Sequence, residues 1–170
     1  MKYSLVGVAC AMLFIASCSR MSEEEAFTKG KAAVEQRKYE EAQKFFNLII
    51  EEYPDGKRAP DALFLSGSIH QNEKRDLAKA VSIYLEVVRK YPKSDAAPKA
   101  LFTAAFLHAN QMDQLQKARE LYEQFLRSYP NHEMAPSART EIANLGVNPD
   151  AILESLTRQR QSGTQATGGK

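Results

Sequence analysis

Apolar residues recur along the chain with a period of 38 residues. Three Tyr-Pro pairs and three alanines keep this spacing in step: Tyr53, Tyr91 and Tyr129, with Ala42, Ala80 and Ala118. In the second half of each unit, apolar residues fall at offsets of 0, 3, 6, 7, 10 and 11, which mark one face of an amphipathic helix. A fixed period of this size is typical of stacked repeat proteins.

Each unit predicts two helices, which we call A and B. Helix B ends at the Tyr-Pro pair, because proline disfavours helical geometry in the residue before it. Helix A begins at Ala-Pro in the later units, with Pro60 and Pro98 in the first turn. In the first unit, Ser22 and Glu25 have the spacing of a capping box instead.

The last part of the repeat region predicts a helix from Pro136 through Leu145, with Gly146 as a C-terminal cap. A further short helix is expected over residues 151–160. We therefore expect seven or eight helices and no strands, which is an all-α fold. Residues 161–170 contain no large apolar side chain and predict a disordered tail.

The first seventeen residues have the pattern of a secretory signal. An apolar run from Leu5 to Ala16 follows Lys2, and it is too short to span a bilayer core of roughly 30 Å. The run closes with Ile15-Ala16-Ser17-Cys18, which resembles the cleavage box of bacterial lipoproteins. That resemblance implies a lipid on Cys18 and a linker over residues 18–21. The alternative is an ordinary signal peptide with a coincidental cysteine.

Residues 22–160 are enough for one domain, and the net charge of the chain is +2. No block of like charge points to nucleic acid or to a polybasic membrane patch. We find no nucleophile elbow, glycine-rich phosphate loop or zinc-binding helix motif, so no enzymatic activity and no cofactor are expected. An envelope enzyme remains a different class of interpretation.

The repeated residues resemble the tetratricopeptide repeat. The second unit has Leu63 and Gly67 on helix A, then Ala80, Tyr84 and Pro92 on helix B. The third unit repeats this series with another small residue, Ala105, on helix A. The resemblance implies a right-handed superhelix of about three and a half repeats, with helix A on the concave side and a C-terminal capping helix.

The unit of 38 residues exceeds the usual 34, mainly in the turn after Tyr-Pro. This turn resembles the repeats of BamD-type lipoproteins of the outer-membrane barrel-assembly machinery, and those of the Tol-Pal-associated periplasmic protein. The resemblance implies a scaffold, lipid-anchored to the outer membrane and facing the periplasm, that binds an envelope protein or peptide. BamD-type proteins carry more repeats, and the Tol-Pal partner usually has a coiled coil and no lipid. A pilotin-like lipoprotein for a secretin or pilus system is another alternative.

The same register gives candidate residues for the groove. It places Phe27, Phe64 and Phe102 at one equivalent position of helix A, with Phe106 one turn further. The alternative is that these rings are core packing between helices.

Two asparagines and two histidines also occupy matching places. Asn72 and Asn110 lie near the ends of two A helices, where their amides could bind a peptide backbone or simply end the helix. His70 and His108 fall at another matching pair of positions. No acidic residue or cysteine recurs beside them at ligand spacing, so we expect structural histidines and no metal.

Overall fold

The computed structural model describes residues 20–146, and these residues form seven helices without a strand. The helices are α1 (Glu23–Glu35), α2 (Tyr39–Glu52), α3 (Ala59–Asn72), α4 (Leu77–Lys90), α5 (Ala96–Asn110), α6 (Leu115–Ser128) and α7 (Ala135–Asn144). The expected all-α repeat fold is thereby confirmed. The signal segment, Cys18, the helix expected over 151–160 and the tail lie outside the described residues.

The helix ends follow local chemistry. The Ser22 hydroxyl oxygen accepts the backbone N–H of Glu25 at 3.2 Å, which satisfies one of the free donors at the start of α1. The Glu25 carboxylate pairs with Lys29 at 2.8 Å, so only the hydrogen bond to the Ser22 side chain forms in the expected capping box. At the other end of the array, Gly146 has a φ of +80°, the left-handed geometry that follows many helices.

The helices form two layers. α1, α3, α5 and α7 are the A helices of successive units, and α2, α4 and α6 are the B helices. Each helix packs against the next one along the chain, and α3 also contacts α5. These two A helices therefore approach one another directly, and we call the side of the array that the A helices form the inner side.

A small residue on each A helix lets the two helices of a unit cross closely. A Cβ added to Gly30 would lie 2.6 Å from Cε1 of Phe46, and one added to Gly67 would lie 2.8 Å from Cε1 of Tyr84. Both distances are too short for atoms in contact, so the rings occupy the space that a side chain would need. Both aromatic residues are almost completely buried, which places the core of each unit at this crossing.

The tyrosines of the Tyr-Pro pairs connect neighbouring units. The hydroxyls of Tyr91 and Tyr129 each donate a hydrogen bond to a backbone carbonyl in the preceding Tyr-Pro turn, to Pro54 at 2.9 Å and to Pro92 at 3.1 Å. The Tyr53 hydroxyl donates in the same way to Met21, just before α1, at 2.7 Å. We call this row of hydrogen bonds the tyrosine ladder. The sequence predicted that Tyr-Pro ends helix B, and the structure adds that it binds one unit to the next.

The turns from helix A to helix B contain a left-handed residue in every unit. Arg37, Arg75 and Asp113 occupy equivalent places, with φ values of 58°, 51° and 52°. None of them is glycine, although left-handed geometry costs a residue with a Cβ roughly 1–2 kcal/mol. Short polar residues such as aspartate tolerate it better than arginine.

Replacing the left-handed arginine by glycine is expected to stabilise the fold. Arg75→Gly should raise the free energy of unfolding by about 0.5–1 kcal/mol, because relief of strain exceeds the added entropy of the unfolded chain. Asp113→Gly at the equivalent position is the matched control and should have a smaller effect. Urea denaturation followed by circular dichroism measures both. An Arg75→Gly protein no more stable than the Asp113→Gly protein would contradict the assigned strain.

Candidate protein-binding surface

The most exposed large aromatic residue of the inner side is Phe106 on α5. Its exposed fraction is 38%, which is high for a phenylalanine in a folded chain. Asn110, one turn further, is also exposed and donates its amide to the Phe106 carbonyl at 3.1 Å. Asn72 is exposed at the matching end of α3. An apolar ring and two amides are therefore accessible on neighbouring A helices.

Phe64 and Phe102 are half-buried, with one side of each ring held by helix B. The ring of Phe64 lies 5.2 Å from the ring of Tyr84. The ring of Phe102 lies 5.3 Å from that of Tyr122 and 5.9 Å from that of Phe125. Both phenylalanines thus take part in packing and leave part of their surface to solvent. That combination lies between the two alternatives, groove lining and core packing.

Phe27 lies in the core, so the expectation that it lines an open groove is wrong. Its exposed fraction is 8%, and its ring lies 6.3 Å from that of Phe46. The Arg58 guanidinium lies 4.9 Å from the centre of the Phe27 ring and pairs with the Glu24 carboxylate at 2.7 and 2.9 Å. The later units have Ala96 and Met134 in place of Arg58. Only the first unit has this charged cover.

The two buried tyrosines beneath the inner face differ in their hydrogen bonds. The Tyr84 hydroxyl lies 3.1 Å from the Ser68 hydroxyl and donates to the Gln71 amide oxygen at 2.9 Å. The Tyr122 hydroxyl is fully buried and has no hydrogen-bond partner among the described residues. One period later, Ser68 and Gln71 are replaced by Phe106 and Ala109, which have no polar side-chain atom.

The electrostatics of Tyr122 follow from this difference. Burial, and secondarily the nearby Glu141 carboxylate, raise the pKa of the Tyr122 phenol well above its usual value. The hydroxyl therefore remains protonated at physiological pH and can donate a hydrogen bond. The third unit therefore has an exposed aromatic ring where the second unit has an internal hydrogen-bond network.

The two histidines occupy equivalent places on α3 and α5 and face the core of their units. His108 is 7% exposed, and burial lowers its pKa; His70 is half-buried, and burial lowers its pKa as well. Within residues 20–146, no group of three or more His, Cys, Asp or Glu side chains could hold a metal ion.

A cavity of about 110 Å³ lies beside Asn72, where α1, α2 and α3 meet. Its apolar lining includes Val34, Tyr39, Leu65 and Ile69. The volume is below the roughly 300–1,000 Å³ of small-molecule sites. It is the size of one apolar side chain, so it could take a residue of a bound segment.

Comparison with known families agrees with the repeat architecture. Residues 27–95 match one family model described as tetratricopeptide repeat, and residues 99–132 match a second model with the same description. Together the matched segments cover more than half of the chain. No curated protein matches the sequence significantly.

Removing each tyrosine hydroxyl separately tests the difference between the second and third units. Tyr84→Phe should lower the free energy of unfolding by about 0.5–1.5 kcal/mol, because it breaks a buried hydrogen-bond network. Tyr122→Phe should be neutral or stabilising, because it removes a buried polar group without a partner. Urea denaturation of the two variants measures the difference. Equal losses would show that the Tyr122 hydroxyl is satisfied in solution.

Proposed function

This chain belongs to the tetratricopeptide-repeat family, and we propose that it is a lipid-anchored scaffold that holds a protein segment at the outer membrane. Tetratricopeptide repeats generally mediate protein–protein binding, and the family is typically non-catalytic.

The exposed Phe106 carries the assignment of the binding surface. Aromatic residues dominate the free energy of many protein interfaces, because one ring buries a large apolar area. Partly exposed Phe64 and Phe102 extend the apolar strip across α3 and α5, and the exposed amides of Asn72 and Asn110 can hydrogen-bond a peptide backbone. A segment of extended or helical chain with apolar side chains fits this surface.

The first unit contributes less to this surface than the later ones. Arg58 covers Phe27, and its charge is paired with Glu24. Displacing this cover would expose a paired charge and lose a stacking contact, so a partner gains little there. We therefore centre the binding surface on α3 and α5.

The anchor is supported by Ile15-Ala16-Ser17-Cys18. A lipid on Cys18 would confine the repeats to the membrane surface and raise their effective concentration toward other membrane proteins. Among residues 20–146, no helix is long and apolar enough to cross a bilayer. The Ala-Pro-ended turns favour a role in outer-membrane protein assembly. A pilotin-like role for a secretin or pilus system, or a Tol-Pal-linked role, would use the same anchor and surface.

Replacing the lipidated cysteine tests the anchor. Cys18→Ser should move the protein from the membrane fraction to the soluble periplasmic fraction, because the acyl chains supply its membrane affinity. Fractionation of cells that express each form, followed by immunoblotting, measures the distribution. Cys10→Ser is the matched control and should leave the protein in the membrane. A Cys18→Ser protein that stays in the membrane would contradict the anchor.

Photo-crosslinking in cells tests the binding surface. A photoreactive residue in place of Phe106 should capture a discrete partner, because this ring is accessible on the inner face. The same residue in place of the exposed Glu120 on α6 is the control and should not capture it. Barrel-assembly components among the products would favour the assembly role, and a secretin would favour the pilotin role. Capture from position 120 alone would refute the inner face.

A further inference from the structure

The first described residues are clamped to the end of helix B in the first unit. The Arg20 guanidinium forms an ion pair with the Glu52 carboxylate and lies 5.3 Å from the centre of the Tyr53 ring. The Tyr53 hydroxyl donates to the carbonyl of Met21 at 2.7 Å. Three contacts therefore fix where the chain enters the fold, beside the turn between α2 and α3.

This entry point limits the distance between the fold and a lipid on Cys18. Only Ser19 lies between Cys18 and Arg20, and two residues of extended chain reach about 7 Å. If Cys18 is acylated, as in the proposed function on which this inference rests, Arg20 must lie close to the lipid headgroups. The tether has too little slack for the fold to rotate freely above the membrane.

The side of the molecule near Arg20 is a continuous edge. Every A helix begins there and every B helix ends there, so the edge contains the three Tyr-Pro turns. Pro54, Pro92 and Pro130 are exposed along it, and the rings of the adjacent tyrosines are half-buried. We call this side the Tyr-Pro edge. Tyrosine is favoured at the boundary between lipid and water, because its ring is apolar and its hydroxyl is polar.

We propose that the Tyr-Pro edge faces the lipid surface and that the turns between helices A and B face away from it. The short tether between Cys18 and Arg20 and the three tyrosines of this edge determine the orientation of the fold on the membrane. Charge contributes little, because the exposed ionisable residues of the three turns have both signs: Asp55, Lys57, Lys93, Asp95 and Glu133. The orientation should therefore be the same on neutral and on anionic lipid.

The two edges are separated by the length of a helix. α4 has 14 residues, which corresponds to about 21 Å at 1.5 Å per residue. Lys93 follows the end of α4 on the Tyr-Pro edge, and Lys74 precedes its start on the opposite edge. Both lysines are exposed, so they form a matched pair for measuring the orientation.

Fluorescence quenching on vesicles tests the orientation. The lipidated full-length mature protein, with Lys93→Cys or Lys74→Cys labelled by a small fluorophore, is reconstituted into phosphatidylcholine vesicles that contain headgroup-quencher lipid. Quenching at position 93 should exceed quenching at position 74 by at least about threefold, because contact quenchers do not act across a helix length. Replacing part of the phosphatidylcholine with phosphatidylglycerol should leave the ratio unchanged.

A variant without the contacts of Arg20 and of the Tyr53 hydroxyl tests whether they hold the fold in this orientation. The double variant Arg20→Ala, Tyr53→Phe keeps the lipid and removes the ion pair and the first hydrogen bond of the tyrosine ladder. Its quenching ratio should fall toward one, with an unchanged circular dichroism spectrum. A ratio that persists in this variant would overturn the assigned role of the clamp.

The outcomes separate this inference from the function on which it rests. Equal quenching at the two positions, in protein that sediments with the vesicles, would overturn the orientation and leave the anchored scaffold intact. Stronger quenching at position 74 would reverse the orientation. Mature protein that carries no acyl chain and does not sediment with the vesicles would refute the anchor, and the orientation with it.

Discussion

The close crossing of helices A and B at one small residue per unit determines the rest of this structure. Gly30 and Gly67 leave room for the ring of Phe46 or Tyr84, and each ring then fills the centre of its unit. A side chain at either glycine would separate the helices and open the core around the ring. The same crossing places the Tyr84 hydroxyl under the inner face of α3. The packing of the core and the chemistry of the surface are therefore linked at this point.

The units share this helix crossing and differ in the residues between it and the inner face. In the first unit a paired arginine closes the surface, in the second a polar network lies beneath it, and in the third an exposed phenylalanine replaces that network. The repeated residues maintain the stack, and the residues that depart from the repeat give each unit its surface. Specificity for a partner would thus come from positions such as Arg58, Ser68 and Phe106.

The sequence predicted the helices well because their residues are periodic. The ends of α3 and α5 at Asn72 and Asn110 agree with prediction, since helix ends depend on local chemistry. The sequence left open whether Phe27 lines a groove or packs in the core, and its contact with Arg58 could not be predicted, because Arg58 is distant in sequence and does not recur. The left-handed Arg75 was also missed, because the usual signal for that geometry is glycine. The pairing of Tyr84 and the isolation of Tyr122 could have been found by comparing their neighbours one period apart.

The tyrosine ladder gives the array a direction in which it can grow. Each hydroxyl reaches back to the turn before it, and at the start of the row Met21 supplies the carbonyl that a preceding unit would otherwise provide. A duplicated unit inserted after the third would bring a tyrosine that could donate to the exposed Pro130 turn in the same way, and its own helix A would take the place of α7 against α6. A unit added in front would have to displace Met21 and the clamp at Arg20. The row of hydrogen bonds could therefore be lengthened at its C-terminal end by repeating a contact that it already makes, whereas Met21 and Arg20 close it at the N-terminal end.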